Sequence, residues 1–248
     1  MSDKLSPQDA PIEGLTRPLY VPIKRRSFFQ YAGATAGATA LVLTGCDDDD
    51  DVMPSGPQGN STTASGAISL GSGDVGVLNY AYALEQLEAD FYSKAAAANI
   101  LTGAEQSYFV EVSKHEAIHR DFFKAAIGRD AAGQVLRNLT PIYPAGTFAS
   151  RISILTLART FEDLGVAAYN GAGKLIKKAD YLVIAGQIVS VEARHAAYIR
   201  ELITPGSFAS DDIVDAVSGL DKALMPAAVL TAAQGFITEK LDGSNVGK

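Results

Sequence analysis

Between residues 74 and 203 the chain carries four stretches in which stripe positions return at alternating steps of three and four. That period places each set on one face of an α-helix. The first stretch, 74–99, aligns Leu78, Ala81, Glu85, Glu88 and Tyr92, and the second, 104–127, aligns Phe109, Val112, Glu116, His119 and Phe123. The third, about 147–173, aligns Leu155, Ala158, Glu162, Gly165 and Tyr169. The fourth, about 178–203, aligns Ala185, Ile188, Glu192, His195 and Ile199. Short links near 100–103 and 174–177 close two helical hairpins, and the segment 128–146, with Pro141 and Pro144, is long enough to cross between them. The hairpins repeat. Laying YALEQLEADFY over ARTFEDLGVAAY pairs Glu85 with Glu162 and Tyr92 with Tyr169. The pattern predicts an all-α fold, a four-helix bundle over 74–203 with a pseudo-two-fold axis.

Each stripe has a glutamate in the middle of the face that must turn inward. A buried carboxylate without a partner costs several kcal/mol, so four converging ones require protons or cations. No lysine or arginine occupies any stripe, whereas two of the three histidines do, one turn after Glu116 and Glu192. Carboxylate plus imidazole without thiolate is a donor set that suits iron or manganese and is acceptable to zinc. Glu85, Glu116, His119, Glu162, Glu192 and His195 are therefore candidate metal ligands. The competing reading, solvated charges on helices whose apolar faces lie elsewhere, requires all six to share the core stripe by accident.

The neighbours divide less sharply. Glu88 takes in the first helix the slot that His119 and His195 hold in theirs, opposite Gly165 in the repeat, and is a seventh ligand, an outer-sphere carboxylate or a solvated group. Tyr92 and Tyr169 lie two turns past their glutamates; core packing ranks first for them, donation to a carboxylate or a radical role second. His115 precedes Glu116 and points off the stripe, and Asp90 and Asp163 are expected to be solvated.

Composition narrows the picture further. With 248 residues, 47% of them hydrophobic, the chain holds enough material for one sizeable core. A formal charge of −7, with no basic cluster beyond the N-terminus, argues against nucleic acid as a partner. The single cysteine, Cys46, excludes an intramolecular disulfide. It ends the segment KRRSFFQYAGATAGATALVLTGC, in which an Arg25–Arg26 pair precedes an uncharged run too short and too weakly apolar for a comfortable membrane span. Residues 1–45 resemble a twin-arginine export signal ending in a bacterial lipobox, which makes Cys46 the lipidated residue and the membrane a partner through that anchor. The resemblance implies an exported protein anchored to a bacterial membrane on its periplasmic or cell-surface side. Residues 46–73, opening with Asp47–Asp51 and continuing in Pro, Gly, Ser, Thr and Asn, read as a disordered tether.

Taken together, LEQLEADFY, HEAIHRDFF, FEDLGVAAY and VEARHAAYIREL resemble the ferritin-like superfamily of di-iron carboxylate proteins, a match to a known arrangement. Over 74–203 they are similar to the exported ferritin-like proteins related to desiccation-response proteins. The resemblance implies that Glu85 and Glu162 are terminal ligands, that Glu116 and Glu192 bridge two metals, and that His119 and His195 are the nitrogen ligands. It implies two iron ions, or manganese in their place, and peroxide or dioxygen as the reacting partner in stress protection. The alternative is a non-catalytic, metal-stabilised structural or interaction module. Residues 204–248 carry no convincing ligands and predict a helical extension whose strip Leu224, Met225, Val229 and Leu230 packs on the bundle or on a second copy as a homodimer.

Overall fold

The computed structural model describes residues 62, 63 and 66–248. The predicted signal at 1–45, Cys46 and most of the predicted tether lie outside the described residues. A short strand β1 (Ile68–Ser69) leads into four long helices, α1 (Gly73–Ala97), α2 (Gly103–Asp130), α3 (Arg151–Gly173) and α4 (Ala179–Ile203). A fifth helix α5 (Pro226–Ala233) and a strand β2 (Leu241–Asp242) follow. The four predicted helices are all present within a few residues of their expected bounds. The third begins at Arg151 because Ser150 caps it: the Ser150 hydroxyl accepts the Ser153 N–H at 3.2 Å, and the Ser153 hydroxyl accepts that of Ser150 at 3.2 Å. Among the described residues no helix is long and apolar enough to cross a membrane.

α1 packs along α2 and α3 along α4, and α1 meets α3 to join the hairpins into a helical bundle. The apolar interior is aromatic at one end. Phe91 of α1 stands edge-on to Phe161 of α3 at 5.2 Å, and Phe161 does the same to Phe236 at 4.9 Å.

The crossover from α2 to α3 is fastened to α1 by two amides spaced two turns apart. Buried Asn79 donates to the carbonyls of Leu70 (3.1 Å) and Gln134 (2.8 Å) and accepts the Leu136 N–H at 2.8 Å. Gln86 accepts the Leu139 N–H at 2.8 Å. Backbone groups that would otherwise be buried without partners are thus satisfied by side chains of the helix they cover.

The last residues of the predicted tether range are part of the fold. Residues 66–72 belong to the fold, with Ile68 at 1% and Leu70 at 0% exposure. β1 pairs in parallel with β2, Ile68 opposite Leu241, and Gly73 donates to the Lys248 carbonyl at 2.9 Å. Further along the same tail, Thr238 donates to the Thr140 carbonyl at 3.0 Å and Ile142 to that of Phe236 at 2.9 Å. The tail therefore stitches the lead-in and the crossover to each other.

The extension is less helical than expected. Residues 204–225 are turns laid over α3 and α4, where Leu224 donates to the Ala167 carbonyl at 2.8 Å. In the predicted apolar strip Val229 is buried and Leu230 half-buried, while Leu224 and Met225 are exposed. Arg200 of α4 anchors the turns. It is buried, and its guanidinium holds Asp163 of α3 at 2.7 and 2.8 Å and Asp212 of the extension at 2.8 and 3.0 Å. Asp163 is thus an ion-pair partner and not the solvated residue expected. Asp90 likewise accepts from Lys94 at 2.6 Å and from Tyr143 at 2.7 Å.

Candidate metal centre

Each of the four long helices turns its central glutamate into the bundle, and Glu85, Glu116, Glu162 and Glu192 are all buried to 1% exposure or less. The two imidazoles come from the next turn of α2 and α4. His119 Nδ1 lies 2.8 Å from Glu192 Oε1, 3.4 Å from Glu116 Oε2 and 3.6 Å from Glu85 Oε2. His195 Nδ1 lies 3.0 Å from Glu116 Oε1, 3.3 Å from Glu192 Oε2 and 3.6 Å from Glu162 Oε2. The pseudo-two-fold axis read from the repeat is visible in these distances. Glu116 and Glu192 each give one oxygen to either histidine, and Glu85 and Glu162 close the two ends. Two four-residue groups result, Glu85–Glu116–His119–Glu192 and Glu116–Glu162–Glu192–His195, each with one donor atom per residue within 4.8 Å of the others.

The contacts are close without being hydrogen bonds. Eight of these donor atoms, Glu85 Oε2, both oxygens of Glu116 and of Glu192, Glu162 Oε2 and the Nδ1 atoms of His119 and His195, are buried with no hydrogen-bond partner. Lone pairs converge on shared points instead of aiming at one another's protons. Such a cluster of orphaned acceptors is costly unless cations occupy the points of convergence, and carboxylate–imidazole donors fit iron or manganese.

The other oxygens of the terminal glutamates are occupied. Tyr92 of α1 donates its phenol O–H to Glu162 Oε1 of α3, and Tyr169 of α3 donates to Glu85 Oε1 of α1. The packing role ranked first from sequence is therefore only half of what these tyrosines do: each orients the carboxylate of the opposite hairpin. Glu88 is 4% exposed and has no hydrogen bond or ion pair among the described residues, but lies outside both four-residue groups. It faces Gly165, where a Cβ would stand 3.1 Å from Glu88 Oε1, so the glycine opposite this slot makes room for the carboxylate.

The electrostatics follow from burial and mutual charge. Burial, joined by the charges of Glu192 and Glu116, lifts Glu85 well above the ordinary carboxylate range, and Glu88 is lifted the same way. Glu162 is pushed up to about 8 by burial against the pull of His195. Burial also opposes charge on Glu116, but His119 and His195 outweigh it and hold this carboxylate down at about 2. Both imidazoles overcome their own burial through the surrounding glutamates, Glu116 foremost, and are pushed up to about 12. Protons thus compensate the cluster where dications would otherwise do so.

His115 was read from sequence as pointing off the stripe, and it is not among the clustered donors. It nevertheless reaches the site from outside, with Nδ1 3.0 Å from His195 Nε2 and its ring nearly coplanar with that of His195, edge to edge, the centroids 5.2 Å apart and the planes 11° from parallel. Tyr108 donates to the His195 carbonyl at 3.0 Å. Neither contact has a signal in the sequence, because both run from α2 to α4 across the bundle and no periodicity within one helix reports them.

No curated protein matches the chain significantly. Residues 73–205 match the family model of the ferritin-like domain, which is more than half of the chain and spans all four helices that carry the cluster. The chain belongs to the ferritin-like family.

Proposed function

We propose that this protein binds two iron or manganese ions between its four long helices and uses them in redox chemistry on hydrogen peroxide or dioxygen. The observation that carries the reading is the set of eight buried donor atoms without hydrogen-bond partners, divided between two overlapping groups. Glu116 and Glu192 are the residues to bridge the two ions, Glu85 and Glu162 the terminal carboxylates, and His119 and His195 the nitrogen donors. Bound there, such ions supply the electron exchange with peroxide or dioxygen that no side chain of this chain performs alone. The protein's part is to fix the donors, to hold Glu85 and Glu162 through Tyr169 and Tyr92, and to exclude bulk water from the cluster.

The location follows from the leader. An Arg25–Arg26 pair and a lipobox-like end at Cys46 support export in the folded state and a lipid anchor on a bacterial membrane, with the acidic and polar segment as spacer. Protection against oxidative or drying stress fits such a position.

A second reading, a metal that only stabilises a structural or interaction module, is favoured by the closure of the site. The notch beside it, lined by Glu88, Gly165, Phe161 and neighbouring leucines, has a volume of about 10 Å³, room for a water at most. One set of measurements separates the two readings. Metal content is determined on the full chain purified without chelators, beside a Glu116→Ala, Glu192→Ala double variant, and peroxide consumption is followed on both. Two ions per chain with turnover, both lost in the variant, support the redox reading. Two ions without turnover establish the structural one, and no metal in either protein rejects both.

A further inference from the structure

The two halves of the cluster match in their donors but differ behind their histidines. His195 has its outer nitrogen, Nε2, 3.0 Å from His115 Nδ1, the two rings nearly coplanar at 11°, and its main-chain carbonyl accepting from Tyr108 at 3.0 Å. Its side chain is 5% exposed. His119 occupies the symmetric position, yet its side chain is 12% exposed and its Nε2 has no hydrogen-bond partner among the described residues. The asymmetry is set by α2 alone. His115 sits one turn before His119 in the HEAIH sequence, and the matching position on α4, four residues before His195, is Val191, which can neither donate nor accept.

The tautomers follow from this arrangement. A histidine that gives Nδ1 to a cation carries its proton on Nε2. His195 then donates through Nε2 to His115 Nδ1, and His115 carries its own proton on Nε2. A ring fixed from behind by an in-plane hydrogen bond loses little orientational freedom when a metal arrives, while a ring free at its outer edge loses more.

We propose that His115 is a positioning residue that pre-orients His195 and makes the two metal positions inequivalent, the one formed by Glu116, Glu162, Glu192 and His195 filling first and holding its ion more tightly. This rests on the dinuclear reading given above and adds an order of filling to it. His115 touches no metal and is exposed at the surface of α2, so its replacement does not disturb the core.

The test is a calorimetric titration of the metal-free full chain with Mn(II), repeated with Fe(II) without oxygen, on the wild type, His115→Phe and His115→Gln. Phenylalanine keeps a flat ring at this position and removes the acceptor, and glutamine restores an acceptor without the ring. The expected wild-type result is two resolved binding steps. In His115→Phe the tighter step weakens by about 10- to 100-fold, the range for loss of an outer-sphere partner, and the weaker step is unchanged. In His115→Gln part of the loss is recovered. Two equal steps in the wild type overturn the inference, as do a His115→Phe titration identical to wild type or an equal weakening of both steps. A wild type that binds no metal overturns the dinuclear reading itself, so the two failures are told apart by the first titration.

Discussion

At the scale of single residues, the tyrosine pair gives a sharp expectation. Tyr92 and Tyr169 each donate across the bundle to a glutamate of the other hairpin, and both phenols are raised well above their ordinary value, by burial first and then by that carboxylate. Replacing either by phenylalanine keeps the ring in the core and frees one carboxylate to rotate. Metal affinity is expected to fall about 10-fold for each change, with an unaltered circular dichroism spectrum; unchanged affinity in Mn(II) titrations sinks this role. Glu88 behaves differently, since it lies outside the clustered donors and is buried without a polar partner. Glu88→Met is expected to retain two ions per chain and to raise the unfolding free energy by about 1 kcal/mol, because a desolvated carboxyl is exchanged for an apolar side chain of similar volume. Lost metal would instead make Glu88 a seventh ligand. The six candidate ligands were legible in the sequence because a buried glutamate mid-stripe violates the hydrophobic pattern visibly. Donation from Tyr92 and Tyr169 to a carboxylate was legible only as the second choice after packing, and the contact of His115 not at all, because which carboxylate or ring each meets depends on which residues of different helices come level.

At the scale of elements, the helices were legible for the reason that the extension was not. α1 to α4 each keep an inward stripe for about four turns or more, and only their ends moved, where a cap such as Ser150 overrides the periodicity. The segment after residue 203 is organised by backbone contacts with remote parts of the chain, which leave no periodic trace. Two glycines test this contrast. A Cβ at Gly171 of α3 would stand 1.8 Å from the Leu224 carbonyl oxygen, so the extension lies directly on the helix backbone there. Gly171→Ala is expected to cost about 1–3 kcal/mol, like other overpacked sites, and to free the 204–225 turns for proteolysis while the metal stays bound. Gly186 of α4 is exposed and a Cβ there meets nothing within 4 Å. Gly186→Ala is expected to stabilise by about 0.5–1 kcal/mol through helix propensity alone. Urea denaturation of the two variants decides both, and equal effects would mean that the extension does not press on α3.

At the scale of the whole molecule, the cluster couples folding stability to pH, to a degree that depends on the metal. In the metal-free chain Glu162, lifted from 4.5 to about 8, and Glu85 and Glu88, lifted well above 4.5, bind protons in the folded state that the unfolded chain has released. Between the unfolded and folded values the folded form holds more protons, so stability falls as pH rises. His119 and His195, raised from 6.5 to about 12, act in the same direction over a higher window, since what they contribute is present below 6.5 and is lost as pH climbs towards 12. Glu116, held at about 2, acts oppositely but only below 4.5. The melting temperature of the chelator-treated protein is therefore expected to decline from pH 5 to pH 9. Metal opposes this slope, because each donor must surrender its proton before it can bind, which weakens binding as pH falls. With Mn(II) at about 100 times a site's dissociation constant at pH 8, that site contributes about 2.7 kcal/mol, roughly 5–10 °C for a chain of this size. At pH 5 and the same Mn(II) concentration the gain should shrink towards zero. Thermal scans with and without metal across this range should give curves that converge at acid pH and separate at alkaline pH. Curves that stay parallel would mean that the protons on this cluster and the cations do not compete for the same eight atoms, and the dinuclear reading would fail at its physical root.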